Sequence, residues 1–312
     1  MVDNRDVLVQ NRRILLTNLS KQLWPQYTKA QFVEYYTLAA PYLLPYLADR
    51  PITLVRYPDG ITGKSFYQKD KPPRTPGWVR TYPTWSSEKD RPLEYLLVND
   101  LPTLVWIANL AAIELNPWHS RYTTPDNPDW AVIDLDPAEP DGFPTARKVA
   151  LLCKDLLDHL GCTGYPKLSG ATGIHIYLRL PASFSYHNST TLIGFIGKLL
   201  QHLAPHLITL ERQIKKRTGK VYVDHLQNLK NKTIVAPYSL RPLPQAPISM
   251  PITWSEVATV FPEDFTLANF SRQISRLPQD PFRKLLAPLS KEEEANIRHL
   301  SVMASRSKHC QH

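Results

Sequence analysis

Three aspartates are the residues of this chain best suited to chemistry. Asp134 and Asp136 stand one residue apart in Ala131-Val132-Ile133-Asp134-Leu135-Asp136-Pro137, and Asp224 closes the run Val221-Tyr222-Val223-Asp224. Side chains of a strand repeat every two residues, so Asp134 and Asp136 project from one face, continued by Val132, while Ile133 and Leu135 pack behind it. Two like charges held in this way raise each other's pKa unless a cation lies between them. Oxygen-only ligands suit Mg²⁺ or Mn²⁺, and three carboxylates around one or two such ions serve in-line attack at phosphorus. An isolated Asp-x-Asp is also compatible with a solvated strand end or the cap of a following helix.

Other groups add phosphate-directed chemistry. Ser169-Gly170-Ala171-Thr172-Gly173-Ile174-His175 offers glycines that admit backbone N–H groups to a phosphate, the hydroxyls of Ser169 and Thr172, and a histidine able to touch a non-bridging oxygen. The plain alternative is a glycine-containing hairpin with a core histidine. Arg241 suits bidentate phosphate contact, or else a surface salt bridge. Arg56, Phe66, Tyr67 and Lys69 interleave bases with aromatics, as a surface that stacks nucleobases does. Neighbouring strand residues face opposite ways, so at most one of Phe66 and Tyr67 is expected in the core. Lys21 and Lys29 flank Trp24-Pro25, and Lys29 falls in the first turn of a capped helix, where free N–H groups reinforce an anion site; the alternative is two solvated lysines. Arg217, in a basic loop with Lys215, Lys216 and Lys220, reads as a DNA contact. Cys153, His159 and Cys162 resemble zinc ligands in spacing, but a fourth ligand is missing and Cys153 falls on the apolar side of a helix, as a small buried hydrophobe would.

The elements that must position these groups follow from periodicity and punctuation. Thr28 to Gln31 has the form of a capping box, followed by helical spacing from Phe32 to Leu47 that Pro41 and Pro45 should kink or divide. Strands are expected at Ile52–Arg56 and Lys64–Gln68 around Pro58-Asp59-Gly60, then a basic, proline-rich loop from Lys69 to Arg80. Leu104–Leu115 reads as a buried helix ended by Asn116-Pro117. After the double-aspartate strand come a helix from Thr145 to Leu160 stopped by Gly161, strands at Gly164–Leu168 and Ile174–Leu180, a helix from Thr190 to Leu203, and strands at Val221–Asp224 and Thr233–Ala236. Residues 291–312 read as a helix fraying into a tail.

With 312 residues, 43% hydrophobic and 21% charged, the chain can bury a sizeable core, and a formal charge of +9 favours a polyanionic partner such as nucleic acid. No stretch approaches the roughly 20 apolar residues of a membrane span, and the amino terminus lacks a secretory apolar region. Three cysteines fit a reducing compartment, so a cytoplasmic, nucleoid-associated protein is expected. No internal repeat or composition break argues for separate domains, and residues 1–290 are expected to form one domain of two packed lobes.

Taken in order, Leu19-Ser20-Lys21-Gln22-Leu23-Trp24-Pro25, Arg56-Tyr57-Pro58-Asp59-Gly60, Ser65-Phe66-Tyr67-Gln68-Lys69, Ile133 to Pro137, Ser169 to Tyr177, and Val223-Asp224 through Arg241 resemble the polymerase domain of bacterial ligase D, of the archaeo-eukaryotic primase superfamily, which serves in non-homologous end joining. The resemblance implies an α/β primase-polymerase fold, with an RRM-like catalytic half joined to a second mixed α/β half, and two divalent ions, Mn²⁺ or Mg²⁺, held by Asp134, Asp136 and Asp224. It implies that Ser169, His175 and Arg241 contact the incoming NTP or dNTP, with Arg56, Lys69 and Gln227 in the pocket. It further implies that Phe66 and Tyr67 stack on the template, that Lys21 and Lys29 grip a downstream 5′-phosphate, and that ribonucleotides, Mn²⁺ and Ku are the preferred partners. Two positions depart from the family pattern: Asn116 stands where many members carry the histidine of Glu-x-His-x-Trp and is expected to hydrogen-bond in its place, and Thr172 stands where several carry lysine. No fused ligase or phosphoesterase region accompanies the domain, so a separate ligase is expected.

The expectation is a stand-alone, metal-dependent nucleotidyltransferase that extends primer 3′ ends at gaps and broken DNA ends. A non-catalytic end-binding module and a two-metal nuclease are its alternatives. Clustered carboxylates speak against the first, because a pure binder of a polyanion gains nothing from them.

Overall fold

The structure, a computed structural model, describes residues 3–87, 89–138, 142–217, 219–275 and 279–309. The chain divides into two compact units, residues 1–118, 233–249 and 265–278 in the first and residues 119–232, 250–264 and 279–312 in the second.

The first unit opens with the antiparallel hairpin β1 (Arg5–Val9) and β2 (Arg12–Leu16), then the short pair β3 (Gln22–Trp24) and β4 (Tyr27–Thr28). Helix α1 (Lys29–Leu47) begins with the expected capping box, in which Thr28 and Gln31 satisfy each other's backbone N–H groups. Pro41 and Pro45 lie inside α1 and do not divide it. Both prolines remove a donor four residues ahead of a solvent-side position: Thr37 and Pro41 are exposed, so the carbonyls left without N–H partners can be met by water.

A five-stranded sheet follows, built from β5 (Pro51–Arg56), β6 (Phe66–Gln68), β7 (Thr81–Ser86), β8 (Arg91–Leu97) and β9 (Ala112–Pro117), with β5 paired to β6, β8 and β9. Helix α2 (Leu101–Asn109), capped by Asp100, is shorter than the helix expected over Leu104–Leu115. Ala111 turns the chain at φ 57°, and the residues beyond it form β9. An apolar run buried on all sides carries no period that separates helix from strand, so pairing with β5 decides. The strand expected at Thr233–Ala236 is likewise replaced by an irregular segment beside β9, where Thr233 bridges Trp118 and the Ala236 N–H donates to the Leu115 carbonyl at 2.8 Å.

The second unit has the order β10 (Trp130–Pro137), α3 (Gly142–His159), β11 (Gly164–Leu168), β12 (Ile174–Arg179), α4 (Tyr186–Leu203), β13 (Ile208–Thr209) and β14 (Val221–Asp224). The strands lie β11-β12-β10-β14-β13, with all but the last pair antiparallel. Setting aside the two-residue edge strand β13, this is a β-α-β-β-α-β chain whose first strand, β10, lies between β12 and β14, the RRM-like arrangement that the resemblance implies. Gly161, at φ 63°, stops α3 as expected. Helix α4 starts earlier than Thr190, because Ser185 and Asn188 form a capping box. Residues Lys291–His309 form the C-terminal helix, joined to β12 by the buried Arg179–Glu293 ion pair; Cys310 to His312 lie outside the described residues. Among the described residues no helix is long and apolar enough to cross a membrane.

Candidate active site

Strand register brings the three aspartates together on the second unit's sheet. Asp134 pairs directly with Asp224 across β10 and β14, and Asp136 pairs with Tyr222. On the other side Asp134 pairs with His175, and His175 with Lys167. Directly opposed residues of antiparallel strands share a face, so Lys167, His175, Asp134 and Asp224 form one transverse row of ionisable groups. The alternate residues Ile133, Leu135 and Val223 are fully buried on the other face. There Gly197 of α4 lies over Val223, where an added Cβ would make ordinary contact at 3.4 Å, its tighter neighbour being the Leu210 side chain at 3.1 Å.

The charges of this face answer one another. The Arg217 guanidinium holds Asp136 Oδ2 at 2.6 Å and lies over the Tyr222 ring at 4.1 Å. Arg217, expected as a DNA contact in a basic loop, is largely buried as the side chains stand, with further bonds to the carbonyls of Glu211 and Arg212. Asp224 Oδ1 accepts from the Leu226 N–H at 2.9 Å and from the Tyr222 hydroxyl at 3.1 Å. Burial and the neighbouring Asp224 charge push the Tyr222 hydroxyl up to about 12, so it remains a donor. His175 Nε2 stands 3.4 Å from Asp134 Oδ1.

Three carboxylates without a sulfur ligand are a donor set for a hard divalent cation. As the side chains stand, no group of three or more His, Cys, Asp or Glu among the described residues is drawn together closely enough to hold a metal, which applies equally to Cys153, His159 and Cys162. Asp136 is turned to Arg217 and Asp224 to two protein donors, which accounts for the open arrangement. The backbone nevertheless suits an ion, because cross-strand partners such as Asp134 and Asp224 carry Cβ atoms about 4.5–5.5 Å apart. Asp136, about half exposed, needs only to release Arg217 to join them.

The turn from Ser169 to Gly173 is held by its own serine, whose Oγ accepts the N–H groups of Ala171 and Gly173, each at 3.1 Å. Gly173 has no substitute here: a Cβ would stand 2.5 Å from the Leu135 carbonyl oxygen of the aspartate strand. Ser169 is buried, while Thr172 is exposed at the turn's tip. Gln227 sits half-buried in the turn that follows Asp224. That turn is fastened by Asn228, a residue the sequence reading passed over, whose amide takes both the N–H and the C=O of Val132 at 2.7 and 2.8 Å. Tyr222 was missed as well; its one signal was the alternation that puts it on the face of Asp224.

In the first unit, Arg56 donates to the Leu110 carbonyl and to Gln68, both at 2.8 Å, and its guanidinium lies 5.2 Å from the centre of the Phe66 ring. Neither Phe66 nor Tyr67 is core: they are 44% and 75% exposed, on a three-residue strand beside the exposed Lys69. Arg241 pairs with Glu114 at 2.6 Å. Asn116 is buried on β9 and its amide nitrogen has no hydrogen-bond partner among the described residues, which suits a donor kept for a ligand. Lys21 and Lys29 are drawn together by a backbone bond of 2.8 Å between them. Lys21 is an exposed partner of Asp59, whereas Lys29 is buried and donates to the Thr17 carbonyl at 2.6 Å. Burial, with smaller contributions from Lys21 and Arg56, lowers the Lys29 pKa to about 8.

Residues 28–282 match the family model described as LigD, primase-polymerase domain. The chain is 35% identical over 297 residues to the bifunctional non-homologous end joining protein LigD of Bacillus subtilis, covering 90% of this chain and 47% of that protein. It is 32% identical over 281 residues to the multifunctional non-homologous end joining protein LigD of Mycolicibacterium smegmatis, covering 89% of this chain and 36% of that protein. The chain thus spans about half or less of the length of these curated relatives. Among solved structures, the polymerase domain of Mycobacterium tuberculosis ligase D, in complex with DNA, superposes with a TM-score of 0.81 at 29% identity, over 89% of this chain and 99% of that one.

Proposed function

We propose, starting from the fact that the chain belongs to the LigD primase-polymerase domain family and is a nucleotidyltransferase of that metal-dependent type, that it lengthens primer 3′ ends at gaps and double-strand breaks during end-joining repair. In this reading it uses NTPs in preference to dNTPs. The observation that carries it is the direct register pairing of Asp134 with Asp224, with Asp136 two residues further along the same face. These three carboxylates would hold two Mn²⁺ or Mg²⁺ ions, which when bound lower the pKa of a primer hydroxyl and neutralise a triphosphate.

The remaining assignments concern what the side chains bind and orient. Ser169, Thr172, His175 and Gln227 present hydroxyl, imidazole and amide donors for a triphosphate along the second unit's carboxylate face. In the first unit, Arg56, Lys69 and Arg241 supply cations for nucleotide phosphates, and Asn116 a buried amide donor. Phe66 and Tyr67 offer stacking surface to an unpaired template base, and Lys21 with Lys29 a cationic pair for a 5′-phosphate. Arg217 contacts DNA in this reading after leaving Asp136. Gapped or broken DNA with a 5′-phosphate, Ku and a separate ligase are the partners, in a nucleoid-associated cytoplasmic setting.

A labelled primer on gapped DNA, incubated with Mn²⁺ and NTPs, tests the reading on a gel. Longer product is expected; unchanged product would mean an end-binding module, and shorter product a nuclease. Asp134→Ala, Asp136→Ala and Asp224→Ala should each abolish extension while retaining DNA binding, and persisting extension in any of them would defeat the assignment.

A further inference from the structure

Tyr222 has no role among the groups assigned above, yet it touches both ends of the carboxylate cluster. As the second residue of Val221-Tyr222-Val223-Asp224 it shares a face with Asp224 and is the direct cross-strand partner of Asp136. Its hydroxyl donates to Asp224 Oδ1 at 3.1 Å, and that oxygen also accepts the Leu226 N–H at 2.9 Å. Two donors on one oxygen fix the plane of the carboxylate and leave Oδ2 as the atom presented to a ligand. The ring of the same residue carries the Arg217 guanidinium 4.1 Å from its centre, and Arg217 in turn holds Asp136 at 2.6 Å. A phenylalanine would fill the same space and carry the same cation; the hydroxyl alone reaches Asp224.

We propose that Tyr222 is a positioning residue of the carboxylate centre, its hydroxyl orienting Asp224 toward a divalent cation. The proposal rests on the reading of Asp134, Asp136 and Asp224 as cation ligands. Hydrogen bonds to a ligand's second oxygen tune metal affinity without contacting the metal, typically by 10- to 100-fold. The effect belongs to the hydroxyl and separates from the packing of the ring, so one atom can be removed and the platform kept.

The test is Mn²⁺ binding by the full chain, read from the electron paramagnetic resonance of free Mn²⁺ with neither nucleotide nor DNA present. Tyr222→Phe should weaken binding about tenfold, and the Mn²⁺ concentration for half-maximal primer extension should rise by the same factor, with the loss of rate confined to sub-saturating Mn²⁺. Because the hydroxyl acts through Asp224, Tyr222→Phe should have no further effect on binding in an Asp224→Asn background. Thermal unfolding of Tyr222→Phe should match the parent to within a few degrees, which separates orientation from folding. Parent-like Mn²⁺ affinity in Tyr222→Phe, or an equal loss with and without the Asp224→Asn change, would overturn the proposal. If Asp224→Ala itself binds Mn²⁺ and extends primers like the parent, the carboxylate reading falls as well; if Asp224→Ala loses both and Tyr222→Phe loses nothing, only the tyrosine inference does.

Discussion

The carboxylate face of the second unit and the β6 surface of the first solve opposite problems. On the former, ionisable groups are placed by strand register and hold one another: Arg217 on Asp136, Tyr222 on Asp224, His175 beside Asp134. On the latter, Phe66, Tyr67 and Lys69 stand in solvent on a three-residue strand. Groups that must meet a small ion need positions fixed to fractions of an ångström, which register and hydrogen bonds supply. Groups that stack on bases need area and tolerance, because every base has a π-face. Substitutions should therefore be abrupt on the first surface and graded on the second.

The largest expected effect is at the register pair. Asp134→Ala and Asp224→Ala should each lower the rate of primer extension by at least about 10³-fold, ~4 kcal/mol in the barrier, with DNA affinity measured by anisotropy changed less than about threefold. A loss of only tenfold would place the chemistry elsewhere. Next in size is a loss of stability. Asn228→Ala leaves the N–H and C=O of Val132 without the partners they now have, two strand positions from Asp134. Each unsatisfied group costs about 1–3 kcal/mol, so the free energy of urea unfolding should fall by at least roughly 2 kcal/mol and extension should fall in parallel. A parent-like midpoint would show that the turn after Asp224 is held by other contacts.

These two surfaces were not equally legible. Asp134, Asp136 and their shared face follow from period-two alternation, and a mixed α/β core follows from the alternation of strands and helices with clear stops such as Gly161, while the RRM-like order came only with the resemblance. The pairing of β10 with β14 is a long-range fact that spacing alone does not give; ordered motifs supplied it through resemblance. Of the helix expected over residues 104–115 only the part to Asn109 is helical and the rest is strand, because burial on every side erases periodicity and a partner strand decides what the apolar run becomes. Pro41 and Pro45 do not divide α1, because their cost depends on whether the freed carbonyls face water. Arg217 sits in a basic loop, and its guanidinium is drawn inward to a carboxylate 81 residues away in sequence, which loop composition does not show. Composition shows a charge; only the fold shows what answers it.

Graded behaviour on β6 is the next expectation. Phe66→Ala and Tyr67→Ala remove stacking surface worth about 1–3 kcal/mol per base, so each should weaken affinity for gapped DNA roughly tenfold or more and raise KM for the template. At saturating DNA the rate should stay within about threefold of the parent. A collapse of kcat in either variant would mean that β6 shares the exacting geometry of the carboxylate face, and the contrast between the surfaces would fail.

The smallest effect concerns Lys29, where burial itself creates a pH dependence. Its charged form is disfavoured first by burial and then by Lys21 and Arg56, which brings its pKa to about 8. Below that value the ammonium is present and can answer a 5′-phosphate; above it the neutral amine cannot, so binding preference must fall as pH rises. A bound phosphate favours the charged form and moves the transition upward, so the loss should set in above about pH 8. The preference for 5′-phosphorylated over unphosphorylated gapped DNA should therefore shrink several-fold, on the order of 1 kcal/mol, between pH 7 and 9. Lys29→Arg should flatten the profile, because a guanidinium stays charged throughout this range. An equal slope in Lys29→Arg would assign the titration to another group and leave Lys29 a purely structural lysine, tied to the Thr17 carbonyl.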